Sequence, residues 1–108
     1  MRDEPGKLGE IYAETLFELA SELDLVEQVA RDMEALRRLL AENADFAEML
    51  RSPAFGTENR RRALENIFGG RLSEPAMNML IVANSHGRLR YLPEIIQAFE
   101  RAWRRWSG

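Results

Sequence analysis

The chain contains no cysteine, which excludes disulfides, thiolate nucleophiles and cysteine-ligated metals together and leaves the redox compartment undetermined. Its one histidine, His86, cannot build a histidine metal cluster alone. Lysine is nearly missing as well, since Lys7 is the only lysine among 15 basic residues. Exposed ion pairs gain little from that exchange, so the bias points to a GC-rich gene rather than to a function. Strand signals are scarce: valine occurs only at positions 26, 29 and 82, and no run alternates apolar with polar residues at period two. Long hydrophobic runs are absent too. The longest stretch without a charge, Pro75 to Gly87, is shorter than the roughly 20 residues that span a bilayer. The N-terminus (Met1, Arg2, Asp3, Glu4, Pro5) has acids where a secretory signal needs an apolar run. A soluble protein retained in the compartment of its synthesis is expected.

What is present fits one all-α domain. The chain has 108 residues, of which 45% are apolar, enough for one core. Charge is unevenly spread: residues 1–50 hold 13 acids and 5 bases, whereas residues 51–108 hold 5 acids and 10 bases. That division argues against a uniformly basic nucleic-acid binder and leaves room for a local basic patch.

Six helical segments are legible, joined by breaks short enough for an antiparallel bundle. The first runs from about Lys7 to Leu23, opened by Asp3, Glu4 and Pro5. The second starts at Asp24, read as an N-cap with Glu27 completing a capping box. Val26, Val29, Met33, Leu36 and Leu40 form its stripe. The third is a turn from Ala44 to Leu50, stopped by Ser52 and Pro53. Thr57 is read as the cap of the fourth, with Ala63, Leu64, Ile67 and Phe68 inward and Gly69-Gly70 at its end. Ser73 caps the fifth, with Pro75 in its first turn and Gly87 closing it after His86. The sixth opens at Pro93 and carries Leu92, Ile95, Ile96, Phe99, Trp103 and Trp106. Leu16, Phe17, Leu36, Leu64, Leu80 and Phe99 lie on convergent stripes and form the expected core.

Two helices are too apolar for one buried stripe, which is normally about 100° wide. With Leu8 at zero and 100° per residue, the apolar arc of the first helix covers roughly 240°. It divides into one face of Ala13, Leu16, Phe17 and Ala20 and another of Leu8, Tyr12, Thr15 and Leu19. The fifth helix has no charge from Pro75 to His86 in a chain that is 31% charged. Met79, Leu80 and Ala83 form one side of it; Asn78, Val82 and Ser85 form another, with Ile81 between. Either both helices are central and wrapped on all sides, or each gives its second face to a shared groove that takes an amphipathic partner helix. The small polar residues Thr15, Asn78 and Ser85 fit a rim better than a core, where each would need a hydrogen-bond partner.

No catalytic constellation accompanies these helices. Glu10, Glu14 and Glu18 form an i, i+4 row of like charges, better suited to facing basic partners than to acid/base work. There is no glycine-rich phosphate loop and no nucleophile elbow. His86 reads as a favourable charge at a helix end. Arg60-Arg61-Arg62, with Arg71, Arg88 and Arg90, leave one alternative: a small helical RNA-binding factor of the antitermination type. Trp103 and Trp106 among Arg101, Arg104 and Arg105 raise an interfacial membrane anchor, but Trp103 continues the core stripe.

The order of Tyr12-Ala13, Leu16-Phe17, Ala20, Ser52-Pro53, Ile67-Phe68, Asn78-Met79-Leu80, Gly87-Arg88-Leu89, Leu92, Ile95 and Phe99 resembles the N-terminal domain of the delta subunit of F-type ATP synthases. In mitochondria this family is known as the oligomycin-sensitivity-conferring protein. The resemblance covers about Leu8 to Trp103, departing from the family pattern at Thr15 and Met79. It implies a six-helix bundle and a non-catalytic stator part without cofactor or metal. The implied partner is the N-terminal helix of an alpha subunit of the catalytic head, held between the first and fifth helices. The implied contact residues are Leu8, Ile11, Tyr12, Thr15, Leu19, Asn78, Ile81, Val82 and Ser85. The b-subunit stalk would be reached through a C-terminal domain absent from these residues. Nucleic acid would not be bound. The membrane, the inner membrane of a bacterium seen from its cytoplasmic side, would be reached only through the complex. Calorimetric titration with Mg-ATP or zinc is therefore expected to show no stoichiometric heat, and a micromolar site for either would overturn the non-catalytic reading.

Overall fold

Pro5 supplies the fixed φ of a helical first turn, and α1 runs from Pro5 to Glu22. Five further helices follow: α2 (Val26–Glu42), α3 (Ala44–Arg51), α4 (Thr57–Phe68), α5 (Glu74–Ser85) and α6 (Leu92–Ser107). Single 3-10 turns at Pro53–Phe55 and Leu89–Tyr91 complete the connections. The computed structural model describes residues 4–108; Asp3, expected to help open the first helix, lies outside the described residues. Among these residues there is no strand and no helix long and apolar enough to cross a membrane. The all-α six-helix bundle expected from periodicity is the observed fold.

Two expected caps act differently from the sequence reading. Asp24 does not cap α2. It sits at φ +60° and closes α1 instead: the Leu25 amide donates to the Ala20 carbonyl at 2.8 Å and the Asp24 amide to the Ser21 carbonyl at 3.2 Å. This is a Schellman closure with aspartate in the left-handed slot that glycine usually fills. The α2 helix begins without a side-chain cap. Thr57 likewise is the first residue of α4, not its cap, because Gly56 at φ +86° makes the entry. Asn43 and Ser73 do cap: their side chains accept from the amides of Phe46 and Ala76.

The core is a single cluster with contributions from all six helices. Leu16, Leu36, Leu64, Leu80 and Phe99 are buried as expected, each removing apolar surface worth about 1.5–3 kcal/mol. Phe17 is only half-buried, its ring 5.7 Å from Phe99 and 6.2 Å from Trp106. Trp103 is half-buried and Trp106 exposed, so the apolar stripe of α6 ends before its last turn. Ile67 is exposed rather than inward. The buried face of α4 is Arg60, Leu64 and Phe68, and Ile67 lies about 60° to the side of Leu64.

The closest backbone approach sets how α1 sits. A Cβ at Gly9 would fall 2.6 Å from the Glu94 carbonyl oxygen, so only glycine lets α1 meet the start of α6 there. Gly9, Ala13, Leu16 and Ala20 are all buried on α1, and within about 60° of one another on the helical projection. This small-residue seam docks α1 along α6, its most extensive neighbour. Gly9→Ala separates two opposing effects. Helix propensity alone would raise stability by about 1 kcal/mol, whereas overpacking against a backbone costs about 1–3 kcal/mol. The steric cost is expected to win, lowering the urea midpoint; a raised midpoint would show that α1 does not lie this close to α6.

Candidate helix-binding groove

With one side of α1 committed to α6, the adjoining side meets α5. The two helices are antiparallel, because the start of α1 lies at Glu94, just past the Leu89–Tyr91 turn that follows α5 and that α1 also touches. Between them runs an open groove of about 270 Å³. Ile11, Tyr12, Thr15, Leu16 and Leu19 line it from α1; Pro75, Asn78, Met79 and Val82 line it from α5, with Arg88 just beyond. Leu16 and Met79 are buried and make the floor, while Ile11 and Val82 are 51% and 38% exposed at the edges. Thr15 and Asn78 are exposed, where water satisfies the groups that a core would leave unpaired. Neither helix is wrapped on all sides.

Six of the nine residues singled out from the sequence meet at this groove: Ile11, Tyr12, Thr15, Leu19, Asn78 and Val82. The other three do not line it. Leu8 is buried, one residue before the close contact of α1 with α6. Ile81 turns partly inward and packs on the core cluster. Ser85 is exposed, its hydroxyl donating to the Val82 carbonyl of its own helix at 2.9 Å. Leu16 and Met79, which periodicity puts on the core faces alone, sit at the border of the two faces and contribute to both. Pro75 and Arg88, at the groove ends, gave no periodic signal.

Buried polar groups hold α5, one groove wall, at both ends. At its start the Ser73 amide donates to Asp32 Oδ2 of α2 at 2.8 Å, while Gln28 Nε2 donates to Asp32 Oδ1 at 3.0 Å. At its end Asn84 Nδ2 donates to the Thr57 carbonyl at 3.0 Å and Asn84 Oδ1 accepts from Arg60 Nη1 at 3.3 Å. Arg60 Nε also donates to the Met49 carbonyl at 2.8 Å, and Nη2 to the Ser52 carbonyl. Asp32, Arg60 and Asn84 are the buried polar residues of the chain among those described, and every one is hydrogen-bonded, as burial requires. Asp32 had left a trace in the sequence, an acid within the Val29, Met33, Leu36 stripe.

These contacts also dismantle the three-arginine patch. Arg60 is buried in the brace, whereas Arg61 pairs with Glu58 and, at 2.7 Å, with Glu65. Arg62 lies 3.5 Å from Glu58. The guanidinium hydrogen bond from Arg61 holds the Glu58 carboxyl below the ordinary carboxylate range, and Arg37 does the same to Glu34 on α2. No continuous basic face remains on α4 for a phosphate backbone to follow. A larger depression of about 660 Å³ lies between α2 and α6 over Met33, Phe99 and Trp103. Its rim carries Glu27, Arg31, Glu34, Arg38, Glu100 and Arg104, and such a charged rim keeps water that an apolar partner helix would have to strip away.

The match to known proteins follows the same helices. Residues 8–107 match the model of the family described as ATP synthase delta (OSCP) subunit. The chain is 37% identical over 94 residues to ATP synthase subunit delta of Phenylobacterium zucineum, covering 86% of this chain and 51% of that protein. It is 32% identical over 89 residues to ATP synthase subunit delta of Alkalihalophilus pseudofirmus, covering 82% and 49%. To the chloroplastic ATP synthase subunit delta of Ochrosphaera neapolitana it is 29% identical over 93 residues, covering 86% and 52%. The chain thus spans about half the length of the curated relatives it matches. It belongs to the ATP synthase delta (OSCP) subunit family.

Proposed function

We propose that this chain is the head-binding domain of a non-catalytic stator subunit, gripping the N-terminal helix of an alpha subunit in the α1–α5 groove. The observation that carries the reading is the groove itself. Two adjacent helices each present an apolar second face to it, in a chain that is 31% charged. From Ile11 to Leu19 the groove wall spans about 12 Å, which suits apolar anchors at i, i+3, i+4 and i+7 of an amphipathic helix. Half-buried Tyr12 is the best placed anchor, since its ring can pack on the partner while its hydroxyl stays wet. The contact to the b-subunit stalk would belong to a further domain of the full-length subunit. The protein would then sit peripherally on the cytoplasmic side of a bacterial inner membrane, held there through the complex.

A stator contact carries load between turnovers, so slow dissociation matters more than fast association. An apolar groove suits that role because salt screens it little. The polar contacts that pin α5 at both ends keep the wall in place without spending groove residues. Val82→Asp puts an unpaired charge among the lining residues and is expected to weaken binding of the alpha-subunit peptide by at least about 2 kcal/mol. Its exposed position should leave the helical circular dichroism and thermal midpoint nearly unchanged. Glu14→Ala, on the polar side of α1, serves as the control and should alter affinity little. Wild-type affinity in a folded Val82→Asp variant would remove the groove from the interface.

A further inference from the structure

Arg60 is buried, yet no carboxylate neutralises it. The ion pairs among the described residues take Arg37, Arg51, Arg61 and Arg62. Arg60 has only neutral acceptors, the carbonyls of Met49 and Ser52 and the Asn84 amide oxygen. They engage three of the five N–H donors of a guanidinium and leave two unclaimed. Carbonyl dipoles orient the group without cancelling its charge, and a buried charge normally has a partner of opposite sign.

Arg60 also lines an open pocket of about 300 Å³. Arg51 at the end of α3 and Arg90 in the Leu89–Tyr91 turn line it too, with Gly56 and Thr57 at the start of α4 and Asn84 near the end of α5. No acid is among the lining residues. The acids nearest in sequence are accounted for. Glu48 takes Nη2 of Arg51 at 2.8 Å, Glu58 pairs with Arg61 and Arg62, and Glu94 lies against Gly9 of α1. Asp45 stands about 9 Å away at the far end of α3. The α4 helix adds its N-terminus. It has no side-chain cap, and its first amide with a backbone acceptor is that of Arg60, donating to the Gly56 carbonyl at 3.0 Å. The amides of Thr57, Glu58 and Asn59 therefore stand open at the positive end of the helix.

We infer that this pocket binds a small tetrahedral oxyanion, inorganic phosphate, as the counter-ion of Arg60. Its size is at the low end for ligand sites, which suits an inorganic anion and not a nucleotide. The donors come from α3, from the start of α4 and from the turn after α5. A set spread over three segments matches a tetrahedral dianion better than a planar monocarboxylate. Arg60 and Asn84 also brace the end of α5, so an anion held there ties α3, α4 and α5 together and stabilises the fold.

The test is a titration of the isotope-labelled 108-residue chain with sodium phosphate at constant ionic strength. The amides of Thr57, Glu58 and Asn59 and the Nε–H of Arg60 should shift along one saturable curve in the millimolar range. Phosphate at tenfold the midpoint of that curve should raise the thermal midpoint by about 5 °C. Arg51→Gln combined with Arg90→Gln alters two exposed positions. The double variant should keep the helical circular dichroism and bind phosphate about fivefold more weakly. Acetate at equal ionic strength should leave these amides in place. Shifts that grow without saturating, unchanged affinity in the folded double variant, or an equal response to acetate would each overturn the assignment.

Discussion

The approach of α1 to α6 at Gly9 is the constraint on which the groove depends. Glycine there admits the Glu94 carbonyl where any side chain would collide, and Ala13 and Ala20 extend the seam with small buried residues. A larger residue would collide with the Glu94 backbone and push the two helices apart. With α1 docked this tightly on α6, its adjoining apolar side is covered only in part, by α5. The groove is therefore a consequence of packing in the core and not a separate insertion. Where a bundle helix normally presents a single stripe, α1 is built with two.

The second wall needs a different device. The α5 helix has no charged residue after its first turn to anchor it by surface pairs, and its apolar sides alone would let it slide along its neighbours. Three buried polar residues supply the register. Asp32 takes the Ser73 amide at one end, and Asn84 with Arg60 ties the other end to the start of α4 and to carbonyls after α3. Because an unpaired buried polar group costs about 1–3 kcal/mol, a small displacement of α5 would break more than it gains. The groove is open at its rim and fixed at its wall ends, a form suited to holding a helix under load.

Much of this was legible in the sequence, and the failures have identifiable causes. Apolar spacing together with caps and breakers located all six helices, Ser52-Pro53 ending the third and Ser73 and Gly87 bounding the fifth. The excess width of α1 and the missing charge of α5 marked the groove, and six of nine named residues meet there. Leu8 and Ile81 turned inward because projecting a helix onto a wheel says which residues share a face, not where a neighbour ends. The caps misread at Asp24 and Thr57 share one reason. Residue type permits a capping role, but backbone dihedrals decide it, and here Asp24 takes the left-handed slot while Gly56 makes the turn. Arg60 reads in the sequence as one of three arginines in a basic run, because nothing local shows that three carbonyl and amide oxygens converge on it from residues 49, 52 and 84.

That α1 and α5 jointly hold a partner helix is the claim most directly open to measurement. Amide shifts of the labelled chain, followed during titration with the alpha-subunit N-terminal peptide, report the contact residue by residue. The account predicts perturbations clustered at Ile11, Tyr12, Thr15, Leu19, Asn78 and Val82, with the α2 and α4 amides largely unmoved. Perturbations clustered on α2 and α4, with these six positions silent, would contradict it.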